Sequence, residues 1–246
     1  MGLSVTVLGC DGSFASAGGA CSGYLVRGGG VALWLDCGPG TLANLQEHVD
    51  LDELDGVVVT HAHQDHWVDL LTYLTAIKHV RKRTGVPVWS PQRVRDLCET
   101  VGGRISPALD WNVVKGGHRV ALGGLAISFS RTDHGPETLA VRVDEAGGRS
   151  LGYSADTGPG WSLSELGPGL DLALCEATIP KESERTVQHL SGRQAGHSAK
   201  AAGVGRLVLT HVQPGVDWEQ QRRDASAVFH GPVDLASVGV TYEAGA

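Results

Sequence analysis

The chain opens on short apolar runs separated by turn residues. Ser4–Gly9, Gly23–Val26 and Val31–Asp36 each have the length and composition of a strand, with Arg27-Gly28-Gly29-Gly30 as the turn between the last two. Val57-Val58-Val59 is wholly apolar, as expected of a strand covered on both faces. Leu70, Leu71, Leu74 and Ile77 then recur at helical spacing. In the second half Leu125–Phe129, Leu139–Val143, Leu151–Ser154 and Leu170–Leu174 predict strands. A helix over Gly192–Ala202 and a strand over Arg206–Leu209 follow. Strands alternating with helices predict an α/β fold. No composition shift or long linker interrupts the pattern, so one domain over 1–246 is expected.

Two of these strands share a design. Gly56-Val57-Val58-Val59-Thr60-His61 and Arg206-Leu207-Val208-Leu209-Thr210-His211 both run from a buried strand into Thr-His. Ligands of layered α/β folds bind where strands end, so two half-molecules would each deliver a histidine to a shared site.

Composition narrows the setting. A 41% hydrophobic and 19% charged chain is a compact globule, not a disordered one. The first residues carry no basic segment followed by a long apolar one, and no window approaches the roughly 18 apolar residues of a membrane helix. The expected address is the cytoplasm. Cys10, Cys21, Cys37, Cys98 and Cys175 are odd in number and scattered, which is a poor disulfide or zinc-knuckle pattern and predicts reduced, buried thiols. A net charge of −7 disfavours large RNA as a partner. The basic run Lys78-His79-Val80-Arg81-Lys82-Arg83 reads as the polar end of a helix.

The chemistry is concentrated in Thr60-His61-Ala62-His63-Gln64-Asp65-His66. Three imidazoles and a carboxylate this close repel when protonated and need partners when buried and neutral; a divalent cation resolves both problems. Leaving a strand, His61 and His63 point to one side, and Asp65 and His66 lie where the chain turns into the next helix. A His pair beside an Asp-His pair suggests two ions, which in two-metal hydrolases lie roughly 3.5–4 Å apart.

His61-Ala62-His63-Gln64-Asp65-His66 resembles the signature of the metallo-β-lactamase superfamily, and further matches follow in order along nearly the whole chain. Trp34-Leu35-Asp36-Cys37-Gly38-Pro39-Gly40 resembles the family's first motif, Thr132-Asp133-His134-Gly135 and Leu209-Thr210-His211 its later histidine ligands, and Tyr153-Ser154-Ala155-Asp156-Thr157-Gly158 its bridging carboxylate. The resemblance implies a four-layer αββα sandwich. It also implies His61, His63 and His134 on one ion, Asp65, His66 and His211 on the other, Asp156 between them, and Asp36 as a support. Two Zn2+ are the expected cofactors, with Mn2+ or iron as alternatives. His48, His79, His118, His197 and His230 match no ligand motif and are expected to be solvent-facing or structural.

Leu174-Cys175-Glu176-Ala177-Thr178 and His189-Leu190-Ser191-Gly192-Arg193-Gln194-Ala195 resemble motifs of the ribonuclease Z-like phosphodiesterases. That resemblance implies catalytic roles for Glu176 and His189 beside Asp65, the glutamate orienting a histidine that meets the scissile phosphate. The plain alternative is that Ser191 caps the Gly192–Ala202 helix and His189 packs beside it. The chain departs from ribonuclease Z in three ways. Only a hairpin's worth of residues, Gly135–Ala155, fills the interval where that enzyme carries a transfer-RNA-gripping arm; Trp67-Val68-Asp69-Leu70 replaces a glycine-containing stretch; and Cys175 stands in place of a histidine. The expectation is therefore a hydrolase of small phosphodiesters such as cyclic nucleotides. The alternatives are an ester-bond hydrolase (lactonase, carboxylesterase or β-lactamase) and a transfer-RNA 3′-processing nuclease. Dimerisation is common in such relatives. The pattern leaves two readings for Trp67, pocket wall or core.

Overall fold

The computed structural model describes residues 2–245. Strands β1 (Ser4–Gly9), β2 (Gly23–Gly28) and β3 (Val31–Cys37) form an antiparallel meander flanked on one side by β14 (Thr241–Glu243). Beyond β3 the sheet continues in parallel through β4 (Gly56–Val58), β5 (Val86–Ser90) and β6 (Leu109–Val113), giving the order β14-β1-β2-β3-β4-β5-β6. The second sheet repeats this plan. β7 (Arg119–Leu122), β8 (Leu125–Arg131), β9 (Leu139–Glu145) and β10 (Ser150–Tyr153) are antiparallel, and β11 (Leu172–Glu176), β12 (Arg206–Thr210) and β13 (Val233–Leu235) follow in parallel.

The strand period of two decides which layer each side chain enters. Leu33 and Leu35 of β3, Val58 of β4, Leu172 and Leu174 of β11 and Val208 of β12 meet between the sheets. Their neighbours Trp34, Val57 and Val59 turn outward against α1 (Thr41–Leu45), α3 (Asp69–Thr75) and α4 (Gln92–Gly102). Ala173, Cys175, Leu207 and Leu209 turn outward from the second sheet against α5 (Gly192–Ala202) and α6 (Trp218–Phe229). Helices thus cover both outer faces, and the four-layer αββα sandwich expected from the sequence is present. Helices α5 and α6 approach closely because α5 is lined with small residues: a Cβ on Gly196 would lie 2.6 Å from the Ala225 carbonyl oxygen.

Several details differ from the sequence reading. The Leu70–Ile77 stripe is not one helix: α2 (Gln64–Trp67) and α3 are followed by a π-helical turn, Ala76–Arg81, which Lys82 ends in a left-handed conformation. The basic run there is tied down, with Arg81 paired to Asp50 and Asp52 and Arg83 donating to the Leu51 and Leu54 carbonyls. Trp67 is core, packed under β3 and β4 with its indole N–H donated to the Ala62 carbonyl. The Gly135–Ala155 interval contains the β9–β10 hairpin.

Candidate metal centre

The strands that run parallel point their C-terminal ends to one edge of the sandwich, and the polar residues gather there. Asp36 is the penultimate residue of β3, His61 follows β4, Asp156 follows β10, Glu176 ends β11 and His211 follows β12. The Thr-His echo is therefore real in space: β4 and β12 belong to different sheets and bring their histidines to one place. The backbone there is unusual. Asp36 (φ 57), Ala155 (φ 50) and His211 (φ 54) occupy the left-handed region that side-chain-bearing residues avoid, and such conformations persist only where surrounding contacts enforce them.

Two principal groups of donor atoms result: His61, His63, His134 and Asp156 form one, and Asp65, His66 and His211 form the other; a third set, Asp156, His189 and His211, overlaps both. In the first, His63 Nδ1 lies 3.2 Å from both His61 Nε2 and His134 Nε2. In the second, His66 Nε2 and His211 Nε2 face each other at 3.2 Å, with Asp65 Oδ2 3.1 Å from His211 Nε2. Asp156 stands between the groups. Its Oδ2 is 3.6 Å from His61 Nε2 and 3.8 Å from His134 Nε2, while Oδ1 is 3.2 Å from His66 Nε2 and 3.3 Å from His211 Nε2.

The hydrogen bonds behind these residues set which nitrogen carries the proton. His66 Nδ1 donates to Asp36 Oδ2 at 2.8 Å, and His134 Nδ1 donates to the Gln188 carbonyl at 3.1 Å. The Thr60 hydroxyl gives its proton to Asp36, so its oxygen accepts from His61 Nδ1 at 3.1 Å. The Thr178 hydroxyl likewise donates to Glu176 and accepts from His211 Nδ1 at 2.8 Å. Each of these four imidazoles therefore turns an Nε2 lone pair inward. Lone pairs on His66 and His211 confront each other and two carboxylates, and the buried Asp156 Oδ1 has no hydrogen-bond donor. Such an arrangement is repulsive unless a cation lies at its centre, and N/O donors of this kind suit zinc and similar divalent ions. The residues fit a metal centre.

The electrostatics agree. Burial, together with the neighbouring imidazoles, holds His61, His63 and His134 below the usual imidazole range, leaving them neutral as ligands must be. Burial also opposes charge on His66, but the carboxylates of Asp156, Asp36 and Asp65 outweigh it and hold His66 well above that range, so that a proton on His66 stands where a bound cation would otherwise supply the charge and leave Nε2 free as a ligand. Asp65 and Asp156 are pulled below the usual carboxylate range by the histidines around them, against the upward push of burial. The cluster calls for positive charge.

Glu176 and His189 are the remaining pair. The buried Glu176 carboxylate accepts from Thr157 N at 2.6 Å, the Thr178 hydroxyl at 2.5 Å, Leu190 N at 3.0 Å and His189 Nδ1 at 3.0 Å. Burial pushes the His189 imidazole down, but the Glu176 charge and hydrogen bond raise it to about 9. The His189 ring lies 5.1 Å from that of His134 and 5.7 Å from that of His211, so it belongs to the same cluster. Ser191 meanwhile caps α5 in a capping box with Gln194, as the plain reading of this segment expects. The other five histidines, His48, His79, His118, His197 and His230, fall in neither donor group.

Four contributors escaped the sequence reading. Tyr153 donates to Asp36 Oδ2 at 3.0 Å, Thr60 and Thr178 orient His61 and His211, and Ser13 gives its backbone N–H to Asp65 Oδ2 at 2.8 Å. A hydroxyl residue beside a ligand carries no sequence signature; Thr210, the counterpart of Thr60 in the echo, pairs instead with Tyr24.

Comparison with known proteins agrees with this geometry. The family described as a β-lactamase superfamily domain matches residues 32–212. The Mycobacterium leprae protein ML1173 is 35% identical over 98% of this chain and 88% of its own length. The probable metallo-hydrolase YhfI of Bacillus subtilis is 30% identical over 98% of this chain and all of its own, 100%. Its crystal structure superposes with a TM-score of 0.89 at 28% identity, covering 98% and 99% of the two chains. Ribonuclease Z of Mycobacterium bovis is 28% identical over 96% of each chain. With the fold, the donor cluster and these relatives in agreement, the chain belongs to the β-lactamase superfamily and to its metallo-hydrolases.

Proposed function

We propose that this protein is a dinuclear metal-dependent phosphodiesterase acting on small phosphodiesters such as cyclic nucleotides. His61, His63 and His134 would hold one ion and Asp65, His66 and His211 the other, with Asp156 contributing one carboxylate oxygen to each. Zinc suits the donors, with manganese or iron as the other candidates. Bound there, divalent cations would supply positive charge against the phosphate and acidify water at neutral pH.

The observation that carries the phosphodiester reading is the Glu176–His189 pair beside the donor cluster. With Nδ1 held by Glu176, His189 offers Nε2 to the substrate. As the oxygen of water forms its bond to phosphorus and the ester P–O bond breaks, His189 would pass the Nε2 proton to the departing alkoxide, while the proton lost by the water would go to solvent, from which His189 would be recharged. Asp65, fixed by Ser13 N, would orient the attacking water. Asp36, with its four donors, would keep His66 and the Thr60–His61 turn in register. Small substrates are favoured over large RNA by the net charge of −7 and by the plain hairpin between His134 and Asp156.

The purified protein should contain about two metal equivalents and cleave bis(p-nitrophenyl) phosphate and cyclic nucleotides more efficiently than lactones or nitrocefin. His189→Ala should lower phosphodiester turnover by about 10²–10⁴-fold, the usual range for a general acid. The loss should be larger for an alkoxide leaving group than for p-nitrophenolate, which departs without protonation. Equal losses on both, or a preference for lactones, would overturn the reading.

A further inference from the structure

We propose that Phe14 is a positioning residue that stacks on a flat ring of the substrate, which narrows the substrate class to phosphodiesters bearing a nucleobase or a comparable aromatic group. The inference rests on the phosphodiester reading above. Phe14 is 54% exposed, and among the described residues every other phenylalanine, tryptophan and tyrosine is buried or half-buried. Its place is specific. The preceding residue, Ser13, donates its backbone N–H to Asp65 Oδ2 at 2.8 Å, so the Phe14 backbone is one residue from the second donor group.

The loop that carries it is fixed. Gly12 N donates to the Val212 carbonyl at 3.0 Å, and Phe14 N donates to the Gly12 carbonyl at 2.8 Å. Asp11 Oδ2 accepts from Ser16 N at 2.8 Å and Ser16 Oγ at 2.7 Å. Gly12 lies flat against the ligand residue His211: a Cβ there would come within 2.5 Å of the His211 carbonyl oxygen. An aromatic ring on a backbone held this firmly gives contact area for little lost freedom on binding. Across the cluster, Gln188 accepts from His134 Nδ1, and its neighbour Val187 is 50% exposed. Exposed apolar side chains thus adjoin the supports of both donor groups, with His63 and Gln64 open to solvent between them in the motif. A phosphodiester brings negative charge for the metal centre and an organic group that must be seated on the rim. Aromatic faces accept any nucleobase by stacking, worth about five- to a hundredfold in affinity.

The test uses the metal-loaded protein. Calorimetry compares AMP with ribose 5-phosphate, which presents the same phosphate and sugar without the base, in the wild type, Phe14→Ala and Phe14→Trp. Expected is tighter binding of AMP by the wild type, loss of about tenfold of that preference in F14A and its return in F14W, at unchanged metal content. With bis(p-nitrophenyl) phosphate the F14A loss should fall on KM, not kcat. If AMP and ribose 5-phosphate bind the wild type equally, or F14A keeps the preference, the stacking role is refuted. If no phosphodiester is cleaved yet the AMP preference is present and lost in F14A, the hydrolytic reading fails and the stacking role stands.

Discussion

Asp36 offers a quantitative test of how the centre is held. Its carboxylate is wholly buried and accepts four hydrogen bonds: Oδ1 from Thr60 N at 2.7 Å, and Oδ2 from Thr60 Oγ1 at 2.9 Å, His66 Nδ1 at 2.8 Å and Tyr153 OH at 3.0 Å. Asp36→Asn preserves shape but replaces one accepting oxygen with an NH2 donor. The gentler orientation sets that NH2 against Thr60 N, leaving one buried backbone donor unsatisfied; the other sets it against three donors at once. A hydrogen bond to a charged acceptor contributes about 1.5–3 kcal/mol, and a buried unsatisfied group costs about 1–3 kcal/mol. The expected loss is therefore about 3–5 kcal/mol of unfolding free energy, read as a fall in the urea midpoint. Because Asp36 also fixes the His66 tautomer, metal affinity should fall about 10–100-fold by chelator competition. A D36N protein with wild-type midpoint and metal affinity would refute the account of the support network.

Three further outcomes follow from named contacts. Gly12→Ala should displace His211, since its Cβ would meet the His211 carbonyl oxygen at 2.5 Å and Nδ1 at 2.9 Å; metal content and turnover should both drop, checked by elemental analysis and rate. Stripping metal with a strong chelator should lower the melting temperature and restoring it should raise it in proportion to the logarithm of free metal, because lone pairs facing at 3.2 Å lose their counter-charge. Burial, the largest influence on each, pushes Cys10, Cys21, Cys98 and Cys175 up to about 12, so all four stay protonated at pH 8.5, where an ordinary thiol is half ionised. Iodoacetamide should leave the native protein unlabelled at that pH and label it after unfolding; rapid native labelling would contradict the burial.

The strands nearest the site were legible because their patterns are unambiguous. Ser4–Gly9 has the bounds expected of it, as does the α5 helix at Gly192–Ala202, whose cap and apolar spacing agree. What escaped were elements whose local pattern is weak. Pro87 interrupts β5, the short β13 and β14 have little sequence of their own, and α6 presents Glu219, Gln220, Gln221, Arg222 and Arg223 in succession. β11 begins at Leu172, two residues later than expected, because Gly169 takes a left-handed conformation and the chain bends at Asp171 before entering the strand.

The sequence by itself determined the chemistry available: His61, His63, Asp65 and His66 lie within six positions, and no fold could scatter them far. Only the tertiary structure decided that His134, Asp156, Glu176, His189 and His211 join them, because their proximity depends on two sheets packing with their parallel strand ends at one edge. It also decided the protonation pattern. Whether an imidazole nitrogen faces inward as a lone pair depends on the hydroxyl, carbonyl or carboxylate that meets its other nitrogen; Thr178 and Gln188, far along the chain from His211 and His134, and even Thr60 beside His61, reveal that role only in contact. Local pattern fixes which groups are present; long-range packing fixes which way each one points.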